Sequence, residues 1–197
     1  EMLHHTDDSP AVLFDEIPGY PKGYRILANA NATRRRLALT LGLPLDIERR
    51  PLMERFLQMT EESKALPPRF VKDGPIFENV LTGDAIDVLK FPTPKWHPHD
   101  GGRYIGTGVC DILKDPDSDW INIGTYRVMV QDKKRVSVYI SPGKHGRQFR
   151  DIYFKRGEPC PIVVVVGVEP LLFIGSSLEV AQGVSEYDWV GGIRGEP

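Results

Sequence analysis

The 197-residue sequence has few cysteines, no excess of positive charge and no long apolar run. Cys110 and Cys160 stand far apart with no C-x-x-C spacing. That excludes a disulfide framework and a cysteine-based zinc site, and it fits a reducing, cytoplasmic compartment. The longest apolar run, Pro161–Val168 (PIVVVVGV), is too short to span a bilayer and reads as a buried strand, so no membrane partner is expected. Lys plus Arg number 25 against 27 Asp plus Glu, a net charge of −2. Such a balance lacks the basic face that a nucleic-acid partner requires. The one basic cluster, Arg34-Arg35-Arg36, follows Thr33 at the start of a helical pattern and reads as a solvated helix face. Repeats, low-complexity tracts and a secretion signal are also missing, although the sequence opens on Glu1 rather than Met.

What is present is a globular composition, 41% hydrophobic and 26% charged. Residues 11–17 (AVLFDEI) and 24–30 (YRILANA) read as strands around a Pro-Gly-Tyr-Pro turn. A helix follows, carrying Leu37, Leu39 and Leu41 and stopped by Gly42 and Pro44. Asp46 is expected to cap a second helix, with Pro51 in its first turn and Pro67-Pro68 beyond its end. Between Phe70 and Pro94, IFENVL and IDVLKF look strand-like.

After the proline- and glycine-rich loop PTPKWHPHDGG the pattern becomes mostly β: residues 104–113, 126–131 and 135–141. In the last of these Val136, Val138 and Ile140 alternate with polar residues, the period of a half-buried strand. A helix from about His145 to Arg156 then presents Phe149, Ile152 and Tyr153 on one face and ends at Gly157. A short helix is opened by Glu169-Pro170. The fold class is α/β (α+β), with a boundary near residue 95 separating an α/β layer (1–95) from a β-rich unit (96–197).

Several constellations could carry chemistry. His97, His99 and Asp100 in WHPHDGG read either as an H-x-H metal pair or as an exposed loop. His4-His5, near the start, is a weaker case. Gly175-Ser176-Ser177 suits close approach to a phosphate, or is simply a turn. The stretch from Asp119 to Phe149 reads as strand, turn and strand, with Asn122 and Gly124 before a strand, Arg127 at its start and His145 after Pro142-Gly143-Lys144. An amide oxygen, an imidazole and a carboxylate form a mixed N/O set suited to Mn²⁺ or Mg²⁺. Arg127 is a permanently charged fork suited to a carboxylate.

Four motifs in this order, DGGRYIGTG, WINIGTYR, SPGKHGRQF and GSSLEVAQGVSE, resemble those of the UbiD-type decarboxylases. That family uses prenylated flavin mononucleotide to remove or add CO₂ on aromatic or α,β-unsaturated acids. The resemblance implies that Asn122, His145 and Glu186 hold a divalent ion (Mn²⁺ or Mg²⁺) together with the flavin phosphate. It implies a potassium site at Trp120, Gly175, Ser176, Leu178 and Glu186, several of them through backbone carbonyls. Ile123, Thr125, Tyr126, Lys144, Ser176 and Ser177 fall where family members line the flavin, and Arg127 where one holds the substrate carboxylate. Lys144 departs from the family, some members of which carry glutamine there.

The implied fold is an N-terminal α/β domain followed by an incomplete split β-barrel of flavin-reductase type. Family chains are much longer, and the acidic partners of the arginine lie beyond the segment matching Gly191–Pro197. The resemblance therefore implies an N-terminal portion, inactive alone, of an enzyme that is a homo-oligomer at full length and takes its cofactor from a flavin prenyltransferase. The alternative is a flavin- or phosphate-binding module or accessory subunit without catalysis.

Overall fold

A computed structural model describes residues 9–106 and 108–197; His4-His5 lie outside them. The element order mixes helix and sheet, an α+β architecture. β1 (Val12–Phe14) and β2 (Ile26–Ala28) form an antiparallel ribbon. α1 (Arg34–Thr40) follows, its N-terminus capped by the Thr33 side chain, which accepts from the Arg36 N–H. α2 (Arg49–Glu62) has Glu48, not Asp46 as expected, at its N-cap position, and no side chain caps it. The arginine cluster is not simply a solvated face. Arg34 donates to the Ile47 carbonyl at 2.7 Å, and Arg36 donates to the carbonyls of Asn29 (3.0 Å) and Ser9 (2.6 Å). These guanidinium groups tie the N-terminal loops to the helix, replacing bonds that irregular backbone cannot make for itself.

Residues 63–94 form no strand. The strand-like pieces IFENVL and IDVLKF become 3₁₀ turns at Pro75–Phe77 and Val88–Lys90, and Phe70, Ile76, Phe77 and Val80 are exposed. Pro75 opens the first turn and the Asp87 side chain caps the second. Each offers the backbone a local partner in place of a ladder.

The β-rich part consists of two antiparallel sheets. β3 (Val109–Lys114) lies between β4 (Ile121–Gly124) and β7 (Val163–Val166). β5 (Arg127–Val130) pairs with β6 (Val136–Tyr139), placing Arg127 opposite Tyr139. The run expected as a buried strand is instead an edge strand, with Val163 and Val166 exposed. Its composition is that of a core strand, but only one flank finds a partner.

α3 (His145–Lys155) packs Phe149 against Leu113, Tyr126 and Ile140. α4 (Pro170–Ser177) and α5 (Glu186–Arg194) complete the second core, where Leu171, Trp189 and Val190 meet Ala38 of α1, Leu41 at its C-cap and Leu52 of α2. At Gly191 and Gly192 a β-carbon would overlap the carbonyls of Leu66 and Lys64. Two glycines thus let the chain after α2 cross α5 at backbone distance, which fixes the helix that begins with Glu186. Among the described residues no helix is long and apolar enough to cross a membrane.

Candidate functional site

The stretch from Asp119 to Phe149 is not a single hairpin. Asn122 lies within β4, while Arg127 opens β5 in the other sheet, so the chain changes sheets across Gly124-Thr125-Tyr126. On one straight strand Asn122 and Arg127 would face opposite ways; the change of sheet removes that constraint. Gly124 is needed for packing, since a β-carbon there would overlap the Tyr126 ring.

A cavity of about 420 Å³ opens at this corner. Its walls include Asn122, Ile123, Thr125, Tyr126 and Arg127 from the corner, and Lys144 and His145 from the start of α3. Ser176, Ser177 and Leu178 close it from the end of α4, and Glu186 from the start of α5. Four separate elements thus bring the divalent-ion and flavin positions to one place. Of the five potassium positions, Ser176, Leu178 and Glu186 line the cavity; Trp120 and Gly175 do not. The Trp120 carbonyl accepts from the Asp115 N–H, and that of Gly175 from the Leu178 N–H.

Glu186 is buried, 2% exposed, and both its oxygens are engaged. Asn122 Nδ2 donates to Oε1 at 2.9 Å and the Ile123 N–H donates to Oε2 at 2.7 Å. β4 is an edge of its sheet, so this carboxylate takes an N–H that no neighbouring strand meets. Burial pushes the Glu186 carboxyl above its usual range, partly opposed by the Ile123 N–H. A cation in the cavity would reverse that shift.

The Tyr126 hydroxyl donates to Asn122 Oδ1 at 2.9 Å, and burial pushes its pKa up to about 12. The His145 ring stands edge-on to Trp120, with centroids 4.8 Å apart. Lys144 Nζ meets Glu179 Oε1 at 2.9 Å, which draws the Glu179 carboxyl below its usual range. Arg127 is exposed over the Tyr139 ring, 5.8 Å from its centroid, and makes no ion pair among the described residues.

Three contributors escaped sequence reasoning. Tyr139 faces Arg127 through the strand register, and Glu179 holds Lys144. Asp111, fully buried in β3, accepts from the Tyr126 N–H at 2.9 Å. A lone carboxylate inside the apolar run VCDIL was the available signal. The WHPHDGG loop forms a turn in which Asp100 accepts from the His97 N–H, and no group of three His, Cys, Asp or Glu that could hold a metal occurs among the described residues.

This mixed α+β chain places a carboxamide, an imidazole and a carboxylate around one cavity, beside a guanidinium with no ion-pair partner among the described residues, donor types that suit a hard cation and an anionic ligand. The family of proteins that shares this frame is identifiable. Residues 69–197 match the 3-octaprenyl-4-hydroxybenzoate carboxy-lyase Rift-related domain, and residues 1–56 match the N-terminal domain of the same carboxy-lyases; the chain belongs to the UbiD family. It is 31% identical over 196 residues to pyrrole-2-carboxylic acid decarboxylase of Pseudomonas aeruginosa, covering 96% of this chain and 39% of the relative. To ferulic acid decarboxylase 1 of Saccharomyces cerevisiae it is 32% identical, covering 95% and 39%.

Among solved structures, vanillic acid decarboxylase of Sedimentibacter hydroxybenzoicus in closed form superposes with a TM-score of 0.86 at 28% identity, over 95% of this chain and 40% of that one. An evolved dimeric form of the UbiD-class enzyme HmfF from Pelotomaculum thermopropionicum, in complex with prFMN, gives 0.84 at 25% identity, over 100% and 44%. The chain spans about 40% of the length of the relatives it matches.

Proposed function

We propose that this chain supplies the cofactor-holding part of a carboxy-lyase that removes CO₂ reversibly from an aromatic or α,β-unsaturated acid. The observation that carries the reading is the cavity itself. Asn122, His145 and Glu186 line it with three different hard donors, and Arg127 lines it with a guanidinium that has no carboxylate partner among the described residues. The residues fit the group that the family implies. An amide oxygen, an imidazole and a carboxylate suit Mn²⁺ or Mg²⁺, and the Lys144 ammonium suits a flavin phosphate, whereas the Ser176 and Ser177 hydroxyls already donate to the Phe173 carbonyl at 2.9 and 2.8 Å and would have to turn to reach it. Potassium fits less completely, because Trp120 and Gly175 are not in the cavity lining.

Loss of CO₂ leaves an electron pair on carbon, and the chemistry that bound prenylated flavin supplies is a place for that pair. The chain's own residues orient and bind. Arg127 presents a planar fork that fixes a carboxylate in one plane, so that the bond to be broken is held in a single orientation. The Tyr139 ring lies beneath it, 5.8 Å from ring centroid to the guanidinium carbon, within reach of a cation–π attraction. Lys144, held by Glu179, is the N-cap of α3, where the positive end of the helix dipole favours an anion.

We further place the division between an N-terminal unit and a split β-barrel of flavin-reductase type near residue 95, with α1 and α2 docked across it onto α4 and α5. The proposal includes a cytoplasmic location, a homo-oligomer, and a flavin prenyltransferase as the source of cofactor.

The test uses the protein expressed from its complete open reading frame, supplied with prenylated flavin, Mn²⁺ and K⁺ and a panel of aromatic and acrylic acids. CO₂ release from at least one acid is expected; flavin binding without release across the panel would instead identify a binding module. Arg127→Lys in the same protein should keep its flavin absorbance and lose turnover on the order of tenfold or more, the rate equivalent of one lost charge-assisted hydrogen bond. Unchanged turnover would remove Arg127 from the chemistry.

A further inference from the structure

The backbone N–H and the hydroxyl of Tyr126 are committed to different parts of the site. Its backbone N–H donates to Asp111 Oδ2 at 2.9 Å, anchoring the corner where the chain leaves β4 and begins β5. Its hydroxyl faces the backbone N–H of Gly146, the residue after His145, and donates to Asn122 Oδ1 at 2.9 Å. Asn122 Nδ2 then donates to Glu186 Oε1 at 2.9 Å, and the Ile123 N–H donates to Oε2.

The direction of this chain of hydrogen bonds is fixed from the Glu186 end. A carboxylate can only accept, so the amide nitrogen must face Glu186 and the phenol must give its proton to the amide oxygen. The ring cannot slip away, because glycines at 124 and 146 leave room for it and nothing more.

We propose that Tyr126 is the positioning residue of this site, holding the Asn122 carboxamide in one of its two orientations while tying together β4, β5 and the start of α3. The hydroxyl uses one lone pair of the amide oxygen and leaves the second free, which is what a ligand oxygen requires. Asp111 extends the same role by holding the Tyr126 backbone. The proposal rests on the reading that Asn122, His145 and Glu186 take a divalent ion. It goes beyond that reading by assigning Tyr126 to the orientation of a ligand rather than to contact with the flavin.

The experiment has two arms on Tyr126→Phe, which removes one oxygen and keeps the ring. In the ¹⁵N-labelled chain, the Asn122 side-chain NH₂ resonance, identified by its disappearance in Asn122→Asp, is followed by chemical shift and hydrogen exchange. Tyr126→Phe is expected to shift this resonance and to speed its exchange, while the backbone spectrum away from the corner is unchanged. An Asn122 resonance with the shift and protection of the wild type would overturn the proposal.

The second arm measures Mn²⁺ binding by the loss of the free-ion electron paramagnetic resonance signal in the presence of FMN. Affinity should fall about tenfold to hundredfold, the usual order when a partner of a metal ligand is removed. Equal affinity in the two proteins would also overturn it. A wild-type protein that takes up no Mn²⁺ would sink the metal reading, and the resonance arm would still decide whether Tyr126 holds Asn122.

Discussion

Gly146→Ala is expected to lower the melting temperature by about 4–8 °C, a loss of about 2 kcal/mol, through overpacking at the site rather than through helix propensity. Alanine ordinarily favours a helix over glycine, so α3 alone would gain from the change. The structure reverses the sign. A β-carbon at position 146 would lie 2.6 Å from the Tyr126 hydroxyl oxygen, 3.0 Å from Asn122 Oδ1 and 3.1 Å from Tyr126 Cε2. Relief by side-chain movement is closed off: Gly124 already faces the Tyr126 ring with no space to spare, and Asn122 is held by Glu186. The start of α3 must therefore move outward, taking His145 and Lys144 with it. Gly74→Ala is the control, since that glycine has an extended backbone (φ −176°) and nothing within 4 Å of an added carbon. Thermal melts of both variants decide the matter. If Gly146→Ala melts with the wild type, the close approach of α3 to Tyr126 is not the constraint described here.

How far such a site could be read from the sequence differs from element to element. α3 was legible because Phe149, Ile152 and Tyr153 share a face and Gly157, at φ +72°, ends the helix in the left-handed region. β3, β5 and β6 were legible from alternation and from the turns between them. The run Val163–Val166 misled because hydrophobicity records what a strand prefers to bury, not whether a neighbour arrives on both flanks. α5 went unread although Ser185 caps it and Glu186 and Asp188 occupy its first turn; Gly191-Gly192 obscured the helical pattern. Resemblance pointed to Asn122, His145 and Glu186, but no spacing rule does, because they reach the cavity from three elements. What could not be read was the change of sheet at Gly124-Thr125-Tyr126. At that corner the Tyr126 N–H is met by Asp111, a residue in another strand that no local pattern links to it.

Asp111→Asn is expected to stabilise the protein at pH 7–8 by on the order of 2–3 kcal/mol, and the gain should vanish near pH 4. The carboxylate is fully buried; Oδ2 accepts one N–H and Oδ1 has no hydrogen-bond partner among the described residues. Desolvation raises its pKa from 3.8 to about 6, only partly opposed by the Tyr126 N–H. Because the folded-state value lies above the unfolded one, the folded protein binds the proton more tightly between those two values. Wild-type stability attributable to this group is therefore fully present below about pH 4, falls as pH rises to about 6, and is level above that. Asparagine keeps an oxygen to accept the Tyr126 N–H and carries no charge, so its curve lacks that descent.

Two other buried groups, Cys110 and Glu186, also have pKa values raised chiefly by burial, but they are present in both proteins and largely cancel in the difference. Urea denaturation of the two proteins at intervals from pH 4 to pH 8 measures the gap directly. A gap that stays constant with pH would mean that packing, not buried charge, separates them. A gap that opens between pH 4 and pH 6 would show that the fold keeps a costly carboxylate at the corner that presents Arg127.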